Sequence, residues 1–354
     1  GNEPSVITVG SVNGKGSAVR SDDTVNLFSS RGPTRGSYVD AGGVKRIDNL
    51  IKPDLVAPGN KVVGALGTDK AGAGGSWNYL GKTYGVLSSP YTGSQQNGKV
   101  ALMNLSGTSI AAPAVAGTVA LLLQANPGLT PPLIKAILQY SAQPLAGANF
   151  LQQGAGLLNI DGAVQLAKVL RTDIATAINA GTLTPGANLL AAGKSMPATT
   201  STLNGQSFNW GRVATAGGAQ ILSGSALFTK YQPIWDPRLV WAGRTATRTT
   251  VAYWPAATGV PANTFVKSFV EAPAANQSFV TTGVVQATGL AGISSKYGKT
   301  GAFLPVATMA GWLVSGSGII LSEGIILSEG IILSEGIILL SLIHISEPTR
   351  RTPI

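Results

Sequence analysis

Short apolar runs broken by glycine, proline and polar turns open the chain. PSVITVGSV, residues 4–12, is rich in β-branched side chains and holds a glycine, which predicts a buried strand; GKGSAVRSDDT after it predicts a loop. VNLFSSRGP, residues 25–33, predicts a strand ending in a Gly-Pro turn. In IKPDLVAPG, residues 51–59, two prolines and a glycine exclude a helix interior, and KVVGAL at 61–66 predicts a further short strand. Residues 66–100, rich in Gly and Ser, predict a long surface loop.

The period changes at Ser109. Ile110, Ala111, Ala112, Val115, Ala116, Val119, Leu122 and Leu123 leave almost no polar face, which predicts a helix buried on nearly all sides. Pro113 is expected in its first turn, where a missing N–H costs nothing, and Asn126-Pro127-Gly128 is expected to end it. A second helix is predicted from Thr130 as N-cap, with Pro131 at its first position and Leu133, Ile134, Ile137 and Leu138 as its apolar stripe. Strands followed by two helices indicate an α/β layered fold.

Beyond QGAGLLNIDGAVQLAKVL, residues 153–170, long helical periodicity stops. Residues 171–317 are rich in Thr, Gly, Ala and Pro and predict a β-rich extension; Trp210, Trp235, Trp241 and Trp254 are expected to anchor its core, the alternative being a glycan- or wall-binding face. Residues 318–339 form a tail in which GIILSE repeats, a period of six that suits short strands with Ser-Glu turns.

With 354 residues and 44% apolar content, the chain can bury a large domain and a smaller one. The absence of cysteine excludes disulfides, thiolate metal sites and a cysteine nucleophile. Sparse charge, 11% of residues, together with abundant small residues suits an exported bacterial protein, secreted or at the cell surface. The net charge of +10 is scattered, with no basic run or stripe, so nucleic acid is not an expected partner. No apolar run is expected to reach bilayer-spanning length, and GNEPSVITVG is not a signal peptide.

A serine hydroxyl needs a base to take its proton and donors to hold the oxyanion that forms. At a helix start, the free N–H groups supply the second requirement, so the Ser109 N–H can face a developing negative charge. Gly107 lets a substrate approach closely. On its own, a serine in this position serves equally as an N-cap.

SGTSIAAPAVAG, residues 106–117, with Gly107, Thr108, Ser109 and Pro113, closely resembles the nucleophile motif of the subtilisin-like serine proteases, the subtilases (peptidase S8). PSVITVGSV, FSSRGP and IKPDLVAPG are similar to segments that precede that motif in the family, in the same order. LTPPLIKAILQYSA and QGAGLLNIDGAV resemble those that follow, so about 165 residues are covered. The resemblance implies that residues 1–170 are the C-terminal part of a doubly wound, mainly parallel α/β domain that cleaves peptide bonds through an acyl-enzyme on Ser109. It also implies a triad in the order Asp, His, Ser.

The chain lacks the Asp-(Ser/Thr)-Gly and His-Gly-Thr contexts; Asp22, Asp23 and Asp54 stand elsewhere, and Asp54 is expected to fix loop geometry. Gly1-Asn2 matches the Gly-Asn pair that carries the family's oxyanion side chain, although the short spacing to the strand fits a Pro-Gly-Asn turn better. The only histidine, His344, lies in LSLIHISEPTR, which reads codon by codon as a translated transposase adapter of sequencing libraries. Residues 340–354 are therefore set aside, and losing Arg350, Arg351 and Glu347 takes the charge from +10 to +9.

The resulting expectation is a fragment of a secreted serine endopeptidase acting on proteins or peptides, inactive without its Asp and His. The alternative is a non-catalytic scaffold or a cell-surface binding protein, held to the envelope through the extension. No cofactor is expected; structural calcium, implied by the family, has no Asp-rich loop to place it.

Overall fold

A computed structural model of the chain describes residues 1–40, 42–66, 79, 83, 84, 102–242, 245–255, 258–261, 264–274, 277–287 and 305–315. Most of the expected loop at 66–100, the GIILSE tail and residues 340–354 lie outside the described residues.

Among the described residues, seven strands precede the Ser109 helix: β1 (Val9–Asn13), β2 (Thr24–Val25), β3 (Ser37–Val39), β4 (Lys45–Ile47), β5 (Leu55–Pro58), β6 (Val62–Ala65) and β7 (Leu102–Leu105). β1 runs parallel to β5, from Val9 opposite Leu55 to Val12 opposite Pro58, and antiparallel to β2. Leu157 adds a parallel bridge to Val56 on the far side of β5. The β3–β4 and β6–β7 pairs are antiparallel. The fold is α/β as expected, with small sheets. The β3–β4 hairpin and β7 lack the β-branched alternation that marks a strand, so neither is announced by the sequence.

The Ser109 helix spans Thr108–Ala125 and packs on β1, β5 and the later helix Ile160–Val169. Only Ala111, Val115, Thr118 and Leu122 are buried, a single stripe at helical spacing, while Leu121 and Leu123 are 45% and 41% exposed. The expectation of burial on nearly all sides is thus corrected: described elements cover one face. Pro113 also lies beyond the first turn, and its ring deletes the bond that would reach the Ser109 carbonyl. By length and composition alone, this helix is long and apolar enough to cross a membrane, because an uncharged core helix passes that test; the expectation that no run reaches that length is corrected too.

The second helix, Pro131–Ser141, begins as expected, with Thr130 at its N-cap and Pro131 in its first turn. The Thr130 hydroxyl does not cap it but donates to the Trp235 carbonyl at 2.7 Å. Every residue from Leu133 to Ser141 is buried, because the helix packs on Ile160–Val169 and on Val213–Ala216 and Pro233–Trp235 of the extension.

The extension adds β8 (Thr200–Leu203), β9 (Gln206–Asn209), β10 (Val213–Ala216), β11 (Gln220–Ser223), β12 (Leu239–Ala242), β13 (Thr245–Tyr253), β14 (Val266–Pro273) and β15 (Val285–Ala287), all paired antiparallel. Helices Ile174–Asn179, Ala226–Thr229 and Val306–Ser315 accompany them. The hydrophobic core does not break at residue 170. Tyr140 meets Trp210 edge-on at 6.4 Å and Phe228 at 4.8 Å, and Phe228 stacks on Trp235 at 6.1 Å. Trp210, Trp235 and Trp241 are buried core anchors, as expected, whereas Trp254 is exposed with Lys267 above its ring.

One buried carboxylate ties the α/β part together. Asp54 is 1% exposed and takes the Lys52 ammonium at 2.8 Å, the Lys135 ammonium at 2.9 Å and the Thr8 N–H at 2.8 Å. The two lysines reach on to the carbonyls of Pro4 and Val6. The Asp54 backbone is gripped as well: its carbonyl accepts from Ala155 N–H at 3.0 Å, inside the Gly154-Ala155-Gly156 segment. Gly154 has φ 58, and a Cβ there would stand 2.3 Å from the Asp54 carbonyl.

Gly154→Ala is therefore expected to cost at least about 2 kcal/mol in urea unfolding, against about 1 kcal/mol for Gly147→Ala, which has a similar φ but open space around it. Burial pushes the Lys135 ammonium down to about 8, with Asp54 opposing the fall and Lys52 adding to it. The folded state then binds this proton less tightly than the unfolded chain, so Lys135 costs stability below about pH 8 and the cost lifts as pH rises toward 10.5. Between about pH 7 and 9, the wild type should gain about 1 kcal/mol of stability relative to Lys135→Met; paired urea titrations at the two pH values measure it.

Candidate active site

Ser109 owes its position to two facing pieces of backbone. The Pro58-Gly59-Asn60 turn leaves β5, and the Ser106-Gly107 strap leaves β7. Gly107 N–H donates to the Gly59 carbonyl at 2.8 Å. Ser106 Oγ accepts from Lys61 N–H at 2.9 Å and donates to Asn60 Oδ1 at 3.1 Å, closing a clasp. Both glycines are required. Gly107 has φ 155, and a Cβ on Gly59 would stand 2.5 Å from Ser11 Oγ and 2.6 Å from the Gly107 carbonyl.

The helix starts directly from this clasp. Gly107 is its N-cap without a side-chain hydrogen bond, and its carbonyl accepts from the N–H groups of Ile110 and Ala111 at 3.1 and 3.3 Å. Thr108 and Ser109 fill the first two helical positions, whose N–H groups have no acceptor within the helix. Ser109 is exposed, and its hydroxyl has no hydrogen-bond partner among the described residues. The site thus presents an accessible hydroxyl beside free N–H donors at the positive end of an 18-residue helix.

The other candidates lie elsewhere. Asn2 is exposed against the β3–β4 hairpin, with its Nδ2 2.7 Å from where a Gly36 Cβ would be; Asn60 is the amide that stands at the strap. Asp22 accepts from Ser17 Oγ in the loop after β1. Burial raises the neighbouring Asp23 carboxyl, with Arg20 opposing. Asp54 is committed to its two lysines. His344 lies outside the described residues. Among the described residues no group of three His, Cys, Asp or Glu side chains could hold a metal ion.

Sequence reasoning missed the Asn60–Ser106 clasp. Its only trace is a polar residue beside a glycine in both PGN and SGT. Gly59→Ala should lower stability by about 2 kcal/mol, because the new methyl group pushes on backbone. Ser106→Ala, at an exposed position, should cost under about 1 kcal/mol. Thermal or urea unfolding of the two variants checks the order.

Residues 1–163 match the family model Peptidase_S8, described as the subtilase family. Among curated proteins, the chain is 33% identical over 159 residues to serine protease AprX of Bacillus subtilis, covering 45% of this chain and 29% of that protein. It is 32% identical over 142 residues to an extracellular protease of Xanthomonas campestris pv. campestris, covering 38% and 24%. The chain therefore spans less than a third of these relatives. Among solved structures, fervidolysin of Fervidobacterium pennivorans, a keratinolytic enzyme related to subtilisin, aligns with 26% identity and a TM-score of 0.31 over 46% of this chain and 19% of that one. With the motif, the α/β fold and the family model in agreement, the chain is subtilase-like over residues 1–163.

Proposed function

We propose that the protein is part of a secreted serine endopeptidase in which Ser109 is the nucleophile, and that the chain as it stands lacks the base that would activate it. The observation that carries this reading is the accessible Ser109 hydroxyl beside free helix N–H groups, in a motif that matches the subtilase family. In the complete enzyme, Ser109 Oγ attacks the carbonyl carbon of a peptide bond while a base removes the hydroxyl proton. The Ser109 N–H donates to the oxyanion, the base returns its proton to the leaving amine, and water then cleaves the acyl-enzyme ester.

Two features support a fragment. No base contacts Ser109 among the described residues, and the helix behind it exposes Ala112, Ala116, Leu121 and Leu123. In an intact domain this apolar face is the natural seat for further chain. Proteins and peptides are the proposed substrates. The name of the Xanthomonas relative supports an extracellular location.

The 354-residue chain should leave casein uncut and fail to label with a fluorophosphonate probe, since loss of a triad partner removes most catalysis. Casein cleavage by this chain, abolished in Ser109→Ala, would contradict the inactivity; no labelling of Ser109 even after an upstream segment carrying Asp and His is joined to it would contradict the nucleophile.

A second reading, association with the cell envelope through the extension, is favoured by the β13–β14 ribbon. Trp254, Phe265, Phe269 and Val270 there are all more than half exposed. Trp254→Ala with Phe269→Ala should abolish co-sedimentation with bacterial cell-wall material and leave the melting temperature within about 2 °C, as surface changes do. Undiminished sedimentation would count against it.

A further inference from the structure

A cleft of about 680 Å3 opens between the Ile174–Asn179 helix with the loop to Pro185, the segment Tyr231–Arg238, β13 and residues 277–282. Its volume falls in the range of small-ligand clefts. Ile178, Leu183, Pro185 and Val280 give it apolar walls. Among the described residues, its charged groups are two arginines and one aspartate. Asp236 is 4% exposed and has both oxygens in use. Oδ1 accepts from the Arg238 N–H and Nε, each at 2.9 Å, and Oδ2 from an Arg238 terminal nitrogen at 3.0 Å and an Arg248 terminal nitrogen at 2.5 Å. Burial works to raise the Asp236 carboxyl, but these bonds outweigh it and hold the group below the ordinary carboxylate range.

One carboxylate offsets one of two guanidinium groups, so a positive charge is left over. The donors are not used up either. Arg238 spends one further N–H on the Ile178 carbonyl at 3.3 Å, while the Arg248 guanidinium makes only its single bond to Asp236 among the described residues. Their side chains are 40% and 37% exposed, and both residues line this cleft. Tyr231 beside them stays protonated, its hydroxyl pushed up to about 12 by burial and by Asp236. The polar end of the cleft is therefore rich in donors, and its one acceptor carboxylate is occupied.

An ammonium ligand would be repelled here, and a neutral one would leave the spare charge unmatched. A carboxylate matches the planar fork of a guanidinium, with two parallel N–H bonds. We infer that this cleft binds a carboxylate on a small apolar body, the chemistry shared by the free C-terminus of a peptide and by a short-chain carboxylic acid. Arg248 supplies the fork, Asp236 and Arg238 hold it in place, and the apolar walls take the body. Nothing in this assignment depends on Ser109.

Calorimetric titration of the full chain with N-acetyl-leucine, N-acetyl-leucinamide and hexanoate tests it. At least one acid should bind at millimolar concentration, and at least tenfold tighter than the amide. Binding by N-acetyl-leucine alone assigns the cleft to peptide C-termini; binding by hexanoate assigns it to acids more generally. Arg248→Gln should weaken the acid at least tenfold with an unchanged circular dichroism spectrum, and Arg248→Lys, which keeps the charge against Asp236 but loses the fork, should fall between. Arg46→Gln, at an exposed pair with Asp40, should leave affinity unaltered. Equal binding of acid and amide, full affinity in Arg248→Gln, or no binding heat from either acid overturns the inference.

Discussion

The buried Asp54 carboxylate is the constraint on which the α/β part of the structure depends. A charge removed from water must be matched by opposite charge and hydrogen bonds. Asp54 meets that demand with Lys52, two residues away, and with Lys135, drawn from the second helix. Satisfying it fixes β1 through the Thr8 N–H, the N-terminal segment through the lysines' bonds to Pro4 and Val6, and the Gly154–Gly156 segment through the Asp54 carbonyl. Gln139 extends the network, donating to the Asp54 carbonyl and to Thr215 Oγ1 and accepting from the Thr215 N–H, which brings β10 of the extension onto the same anchor. β5 leads from Asp54 to Gly59, and Gly59 holds Gly107. The position of Ser109 is thus set through a short chain of backbone contacts that ends in one ion cluster.

The extension buttresses that frame. Asn159 donates to the Ser141 carbonyl and to Ser201 Oγ, and the Trp210 indole donates to the same hydroxyl. On the other side, the Arg20 guanidinium lies 4.8 Å over the Phe208 ring, and Gln206 bonds the Arg20 N–H and the Ala18 carbonyl. Residues 200–210 thereby close over helices of the subtilase-like part. The carboxylate cleft lies within this added layer, walled by the helix that follows residue 170 and by β13.

What the sequence made legible was local. The start of the Ser109 helix and the start of the second helix at Thr130-Pro131 each announce themselves within a few residues, because glycines and prolines act on their own backbone. Asp54 was expected to fix loop geometry, and its partnership with Lys135, 81 positions away, was not readable from the sequence. Less legible were features that depend on distant chain. Exposure of Leu121 and Leu123 depends on what lies against the helix, which an all-apolar pattern does not encode. The continuity of the core past residue 170 rests on Tyr140 meeting Trp210 and Phe228, far apart in sequence. Asp236, Arg238 and Arg248 become a site only when β12 and β13 pair and fold Arg248 back toward Asp236.

The central claim is that Ser109 is the nucleophile of a protease whose base lies outside this chain. Long-read sequencing of the source DNA upstream of the codon for Gly1, translated in frame, tests it most directly. A reading frame carrying Asp-(Ser/Thr)-Gly and then His-Gly-Thr is the result expected. A continuous subtilase-like frame in which either residue is replaced would contradict it, leaving Ser109 without a base in the whole protein.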